Sequence, residues 1–186
     1  STVWTLARTN SIRNINLIFI GQWLCLPRFK QNITSWQPRG MFYNGNVCWY
    51  AYDALEWSSL AQTTSQIRRV AALYGLPANL FLAIAWQESG WRQHVISQDG
   101  GIGVMQIMPN TATWINRMTG RYRDPYKLWD NLNLSATYLS WLWRQFGGNW
   151  TQIISAYNEG GYAVTHWGIY NWPYVNTVLF LSRRLW

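Results

Sequence analysis

From Thr63 onward the apolar positions of this chain recur at the three-to-four-residue spacing of helices, punctuated by glycine and proline. Ile67, Val70, Ala71 and Tyr74 share one face of a segment that Ser65 can cap and Gly75 can end. Pro77 stands at the N-terminal turn of a second segment, Leu80–Glu88, apolar on nearly every side and stopped by Gly90. Pro109 opens a third, with Ala112, Ile115 and Met118, closed by Gly120. Asp130 can cap a fourth, which carries Leu132, Tyr138, Leu139, Leu142, Trp143 and Phe146 up to Gly147-Gly148. Trp150, Ile153, Ile154 and Tyr157 mark a fifth, and Tyr174, Val175, Val178, Leu179 and Leu185 the last. No β-alternation of any length follows residue 63, so residues 63–186 are expected to form an all-helical domain and the whole chain to be mainly α.

The first 62 residues follow another pattern. Thr2–Arg8 suits a short helix, Asn16–Leu26 a strand with Gly21-Gln22 at its turn, and Pro27 closes the unit. Residues 28–62 hold turn signals (Gln37-Pro38, Asn44-Gly45) and many aromatics without clean periodicity, and read as a linker or arm packed on the main domain.

Composition narrows the class. Of 186 residues only 12% are charged but 17% are aromatic, including 15 Trp. A single core does not need fifteen indoles, so some of them are expected to line a surface that meets flat, semi-polar partners such as sugar rings. Fifteen Lys and Arg against seven acids leave +8, which favours polyanions: nucleic acid, acidic lipid or an anionic cell wall. The basic residues occur singly or in pairs (Arg68-Arg69, Arg183-Arg184) rather than in a stripe, so no nucleic-acid partner is expected. The run INLIFIGQWLCLP is too short and interrupted to span a bilayer. No leader is visible and residue 1 is not Met, which reads as a processed or excised piece. Cys25 and Cys48 would close a loop worth about 3 kcal/mol if the chain is secreted and stay reduced if it is cytosolic. Neither cysteine stands at metal-ligand spacing from a histidine, and no metal or cofactor is expected.

Glu88 poses the chemical question. An acid in the last turn of a helix buried on nearly every side faces low-dielectric surroundings and the negative end of the helix dipole. Both disfavour the ionised form, so its pKa should rise toward that of a general acid working near neutral pH. The alternatives are a solvent-facing carboxylate at a helix end, or a pair with Arg92 one turn on.

Four motifs surround this acid in order: Glu88-Ser89 in QESG, Gly103-x-Met105-Gln106 in SQDGGIGVMQIMP, Ala156-Tyr157-Asn158, and Tyr174-Val175. Over residues 62–186 the chain resembles the soluble-lytic-transglycosylase (SLT) domain of glycoside hydrolase family 23, which shares its helical fold with goose-type lysozyme. That resemblance implies a lysozyme-like domain over 63–186 in which Glu88 is the single catalytic acid/base. Ser89 would hold its carboxyl through a hydroxyl hydrogen bond. Met105 and Gln106 would line the floor beside the sugar, Tyr157 and Asn158 would contact the N-acetyl group, and Tyr174 would complete the site from the last helix. The implied substrate is the peptidoglycan glycan strand, cleaved between N-acetylmuramic acid and N-acetylglucosamine. Glu88 would protonate the glycosidic oxygen, the substrate acetamide would support the oxocarbenium-like state, and Glu88 would then deprotonate the muramic 6-hydroxyl. The product is a 1,6-anhydro ring, and the implied location is extracytoplasmic. Chitin oligomers, which share the N-acetyl group, are a second candidate substrate.

Asp99 reads as a turn residue before Gly100; within the cleft it could instead activate water and make the enzyme a goose-type hydrolase, a muramidase or chitinase. A non-catalytic glycan-binding module is the remaining alternative. Two stretches depart from the resembled family. Tyr170-Asn171-Trp172-Pro173 stands where Glu-Thr-Arg usually precedes the final tyrosine, and Asn158-Glu159-Gly160 replaces Asn-Ala-Gly, with Glu159 expected to face solvent. Gly100-Gly101, Gly103 and Gly160-Gly161 suit turns of positive φ or close approach to a ligand. The front end, residues 1–27 with VWTLAR and NLIFIGQWLCLP, resembles a shortened LysM module, a small α/β glycan-binding unit.

Overall fold

The computed structural model describes residues 55–184 in full and, ahead of them, the backbone of two strands at 38–44 and 47–52. The helix expected at Thr2–Arg8, the strand at Asn16–Leu26 and the LysM-like segment 1–27 lie outside the described residues, as do the side chains of Cys25, Cys48 and Leu185. Strand β1 (Pro38–Asn44) pairs antiparallel with β2 (Val47–Tyr52), Phe42 opposite Trp49. β2 pairs antiparallel with β3 (Val95–Ser97), Tyr50 opposite Ile96, so the stretch read as an arm is joined by backbone hydrogen bonds to the loop that follows Gly90. β3 corrects the expectation that no strand follows residue 63: three residues, all buried, are too few to show alternation.

Seven helices follow among the described residues. Helix α1 (Leu60–Tyr74) starts earlier than expected, because Ser59 rather than Ser65 is its cap. The Ser59 hydroxyl accepts from the Gln62 N–H and the Gln62 side chain accepts from the Ser59 N–H, a reciprocal box that satisfies two otherwise free donors. Gly75 ends α1 in the left-handed conformation. Helix α2 (Ala78–Ser89) carries the core: Leu80 through Ala85 are all buried, and each large side chain sealed there contributes about 1.5–3 kcal/mol. It packs against α1 on one side and α7 on another.

Helix α3 (Pro109–Thr119) turns Ala112 and Ile115 inward, while Met118, assigned to the same face by spacing, is exposed. Helix α4 (Leu128–Gln145) begins two residues before Asp130, which lies in its first turn and accepts from the Asp124 N–H at 3.0 Å. The distant Glu56 supplies a capping oxygen instead, accepting from the Leu128 N–H at 2.7 Å, where a negative charge suits the helix N-terminus. Trp143, expected on the apolar face, is exposed. Helix α5 (Trp150–Glu159) starts at Asn149, whose side chain accepts from the Thr151 and Gln152 N–H groups. A short α6 (Gly161–Trp167), unexpected from Gly160-Gly161, separates it from α7 (Trp172–Ser182). α4 packs on α1, α3 and α5, and α5 on α6 and α7. This arrangement brings the C-terminal ends of α2 and α5 to the start of α7.

Candidate active site

The last turn of α2, the glycine-rich loop, the end of α5 and the first turn of α7 enclose a cleft of about 270 Å3. Glu88, Asp99, Gln106, Tyr157, Asn158 and Tyr174 all line it. Glu88 is half-buried as a residue, because one edge faces the cleft, yet protein surrounds its carboxyl closely. Burial pushes that carboxyl from 4.5 up to about 7; a hydrogen bond from the Tyr174 hydroxyl to Glu88 Oε1 opposes the rise, and the charge of Asp99 adds to it. With one oxygen occupied by the phenol, the other is left to carry the transferable proton. The phenols of Tyr157 and Tyr174 titrate well above 10, chiefly through burial and then through the Glu88 charge, so both remain donors.

The glycine-rich wall is fixed from beneath by buried polar groups. Gln93 Oε1 accepts from the Val104 N–H at 2.9 Å and its amide donates to the Pro125 carbonyl. Asn131 Oδ1 accepts from the Met105 N–H at 3.0 Å, while its amide donates to the carbonyls of Ile102 and Pro125, both at 2.8 Å. Both side chains are fully buried. Gly103 (φ +71°) lies so close on them that a Cβ would fall 2.5 Å from Gln93 Oε1. Gly101 is equally hemmed in, by Gln106 Oε1 and Ser97 Oγ at 2.9 Å from a would-be Cβ. These two glycines are demanded by the protein's own polar groups packed against them, and Gly101 also lines the cleft. Gln106 itself takes φ +50°, a strained conformation for a residue with a side chain, and its Nε2 donates to the Gly103 carbonyl at 2.8 Å.

Two expected contacts are replaced. The Ser89 hydroxyl donates to the Val104 carbonyl at 2.8 Å and accepts from the Arg92 N–H at 3.0 Å, so this buried serine pins the loop to α2 instead of holding the Glu88 carboxyl. Met105 is wholly buried in the core and turns its side chain away from the cleft; its carbonyl accepts from the Tyr157 hydroxyl at 2.8 Å. Tyr157, also linked to the buried Ser135 at 2.9 Å, thereby ties α4, α5 and the loop together under the site. Asp99 combines the two positions considered for it, a turn and the cleft. It lies in the turn closed by the Gly100 N–H on the Ser97 carbonyl, accepts from the Ser97 hydroxyl, and lines the cleft.

The opposite wall is more exposed. Asn158 faces solvent, its Oδ1 accepting from Asn171 Nδ2 at 2.9 Å. Glu159 is exposed as expected and accepts from the Tyr170 hydroxyl at 2.7 Å. Among the described residues no tryptophan lines the cleft; exposed indoles such as Trp57, Trp143 and Trp167 lie elsewhere on the surface. Gln93, Asn131, Ser135 and Asn171 were not singled out from the sequence. Asn131, Ser135 and Tyr138 do carry a signal, being polar groups recurring at helical spacing along the buried side of α4. Among the described residues no group of three His, Cys, Asp or Glu stands together to hold a metal ion.

Comparison with known proteins agrees with this geometry. The family profile described as the Transglycosylase SLT domain matches residues 65–172, more than half of the chain. The soluble lytic murein transglycosylase of Escherichia coli K12 is 40% identical over 97 residues, covering 50% of this chain and 15% of that protein. The membrane-bound lytic murein transglycosylase C of Haemophilus influenzae PittEE is 33% identical over 111 residues, 53% of this chain and 31% of that one. The chain thus spans under a third of the length of these relatives. Among solved structures, the 70 kDa soluble lytic transglycosylase Slt70 of E. coli superimposes with a TM-score of 0.58 at 30% identity, over 63% of this chain and 23% of that one. An inactive Glu-to-Gln mutant of Slt from Pseudomonas aeruginosa gives the same TM-score at 28% identity, with the same coverage. Its helical fold, its glycine-rich loop and the match across Glu88 to Trp172 agree: the chain belongs to the Transglycosylase SLT domain family.

Proposed function

We propose that this chain is a peptidoglycan lytic transglycosylase that cleaves the β-1,4 bond between N-acetylmuramic acid and N-acetylglucosamine with formation of 1,6-anhydro-N-acetylmuramic acid. The observation that carries this reading is a carboxyl in a sugar-sized cleft, with a pKa of about 7 and one oxygen held by a phenol. Such a group protonates the leaving oxygen near neutral pH and, once ionised, is basic enough to take the proton of the 6-hydroxyl. Gln106 and Asn158 offer polar groups to the sugar from opposite walls, and Tyr157 and Tyr174 set the floor and the acid. Ser89 and Met105 serve the site from behind by fixing the loop. Relatives named lytic murein transglycosylases, and a relative made inactive by a Glu-to-Gln change, support the assignment. A substrate in the cell wall implies an extracytoplasmic location, and among the described residues no helix is long and apolar enough to cross a membrane. Residues 1–27 would add a LysM-like glycan contact ahead of the arm at 28–62.

The position of Asp99 in the same cleft favours a second reading, hydrolysis by an activated water, with muramic or chitin glycans as substrate. Mass spectrometry of digests of purified peptidoglycan separates the two. Anhydro-muramic ends are expected, together with a loss on the order of 10²–10⁴-fold in Glu88→Gln. Reducing muramic ends alone would establish the hydrolase, activity unchanged in Glu88→Gln would remove Glu88 from the chemistry, and binding without cleavage by the parent would leave only a glycan-binding module.

A further inference from the structure

Asparagine is among the strongest N-capping residues, and Asn171 stands at the N-cap of α7, yet its side chain makes no capping bond. It points the other way, into α5. Ser155 Oγ donates to Asn171 Oδ1 at 2.5 Å, and Asn171 Nδ2 donates to the Ser155 carbonyl at 3.3 Å and to Asn158 Oδ1 at 2.9 Å. Meanwhile the Asn171 carbonyl accepts from the N–H groups of Tyr174 and Val175 at 3.0 and 3.2 Å. Ser155 is buried, so the bond on that side is shielded from competing water. One residue thus ties the first turn of α7, which carries the phenol on Glu88, to the last turn of α5, which carries Asn158. It does so within the four residues that depart from the resembled family, just ahead of Tyr174.

We propose that Asn171 is a positioning residue with two outputs: it sets the Tyr174 hydroxyl on Glu88, and it occupies the Asn158 carbonyl oxygen so that the Asn158 amide nitrogen is what remains for an acceptor on the substrate. The natural acceptor for that nitrogen is the acetamide carbonyl of an N-acetyl sugar, so the inference rests on the sugar-cleaving reading of the cleft. A capping bond would have served α7 locally; the side chain is used instead to register two helices, with a shielded bond beside the exposed Tyr170–Glu159 hydrogen bond.

The test uses Asn171→Ser, which can still cap α7 but is too short to reach α5. Thermal stability should be retained, while kcat falls between about 10- and 100-fold, the range expected when a reacting group is misplaced. The diagnostic readout is the pH profile. Activity requires protonated Glu88 and declines as pH rises through about 7. The groups facing that carboxyl are Tyr174 from α7, Tyr157 from α5 and Asp99 from the loop, and the Tyr174 bond is the one that holds the pKa down. Loosening it should move the alkaline limb to higher pH in Asn171→Ser, as in Tyr174→Phe, with no further movement in the double variant. KM should rise for N-acetylated glycan and not for its de-N-acetylated form. A stable Asn171→Ser enzyme with the parent's kcat and alkaline limb, beside an inactive Glu88→Gln, would overturn the positioning role alone. Activity surviving in Glu88→Gln would overturn both readings.

Discussion

The two walls of the cleft are built on different principles. The glycine-rich wall rests on Gln93, Asn131 and Ser89, all buried, whose side chains satisfy the turning backbone from Ile102 to Met105. The α5–α7 wall rests on Asn171, half-buried, and on a Tyr170–Glu159 contact in solvent. A buried amide that loses its partner cannot turn to water, whereas an exposed one can. The first wall is therefore committed to one shape by the same interactions that make the protein fold. The second can be adjusted with little loss of stability, and it carries Tyr174, the phenol that touches the acid.

The largest expected effect breaks the first wall. Asn131→Ala strands the Met105 N–H in the core and removes one of two donors from each of the Ile102 and Pro125 carbonyls, which keep the Ile107 N–H and the Gln93 amide. At about 1–3 kcal/mol for a buried group left unsatisfied, the loss should be of that size, read as a clear fall in Tm or in the denaturant midpoint. Activity should disappear with it, since Gln106 and the backbone beside Glu88 depend on that loop. Retained stability would mean that this wall is no more committed than its opposite, and the contrast would fail.

What could be read ahead of the structure divides along the same line. The helices announced themselves because apolar residues at 3.6-residue spacing meet glycines that stop them, as at Gly75, Gly90 and Gly120, all left-handed here. Glu88 announced itself because an apolar helix ending in an acid is costly unless the acid is used. The supporting contacts did not, because they depend on where a loop folds back. Ser89 sits beside Glu88 in sequence, but its hydroxyl meets Val104 fifteen residues on, and Met105 presents its carbonyl rather than its side chain to the site. The hairpin was hidden for a related reason: its partner β3 is three residues long and carries no periodicity of its own. Asn171 stands at a helix N-cap, where local rules favour a capping bond, and only the approach of α5 redirects its side chain.

Tyr174→Phe sharpens the comparison from the second wall. The ring still fills its place, so Tm should change little. The loss of the hydroxyl removes the interaction that lowers the Glu88 pKa and leaves burial and the Asp99 charge, both of which raise it. The acid is then protonated to higher pH, so the alkaline limb of activity moves above its former position near 7. At the same time Glu88 becomes a weaker acid toward the glycosidic oxygen and loses the bond that holds its carboxyl in place, so kcat should fall by about 10-fold or more. A limb that moved to lower pH would show that the phenol acts on the neutral acid rather than on the carboxylate.

The smallest effect belongs to Tyr170→Phe. Its hydroxyl holds Glu159 at 2.7 Å, which raises the phenol's pKa, but both side chains lie in water and either can exchange the other for solvent. If the α5–α7 wall is registered by the shielded Asn171–Ser155 bond, removing the outer contact should leave Tm unchanged and kcat/KM within about twofold of the parent. The same should hold for Glu159→Gln, and added salt should not separate the variants from the parent. A drop of tenfold in either would transfer the registering role from the half-buried amide to the surface clasp, and Asn171→Ser would then be nearly silent. The pair of measurements therefore decides which of two bonds, one sheltered and one wet, aligns the helix that bears the phenol.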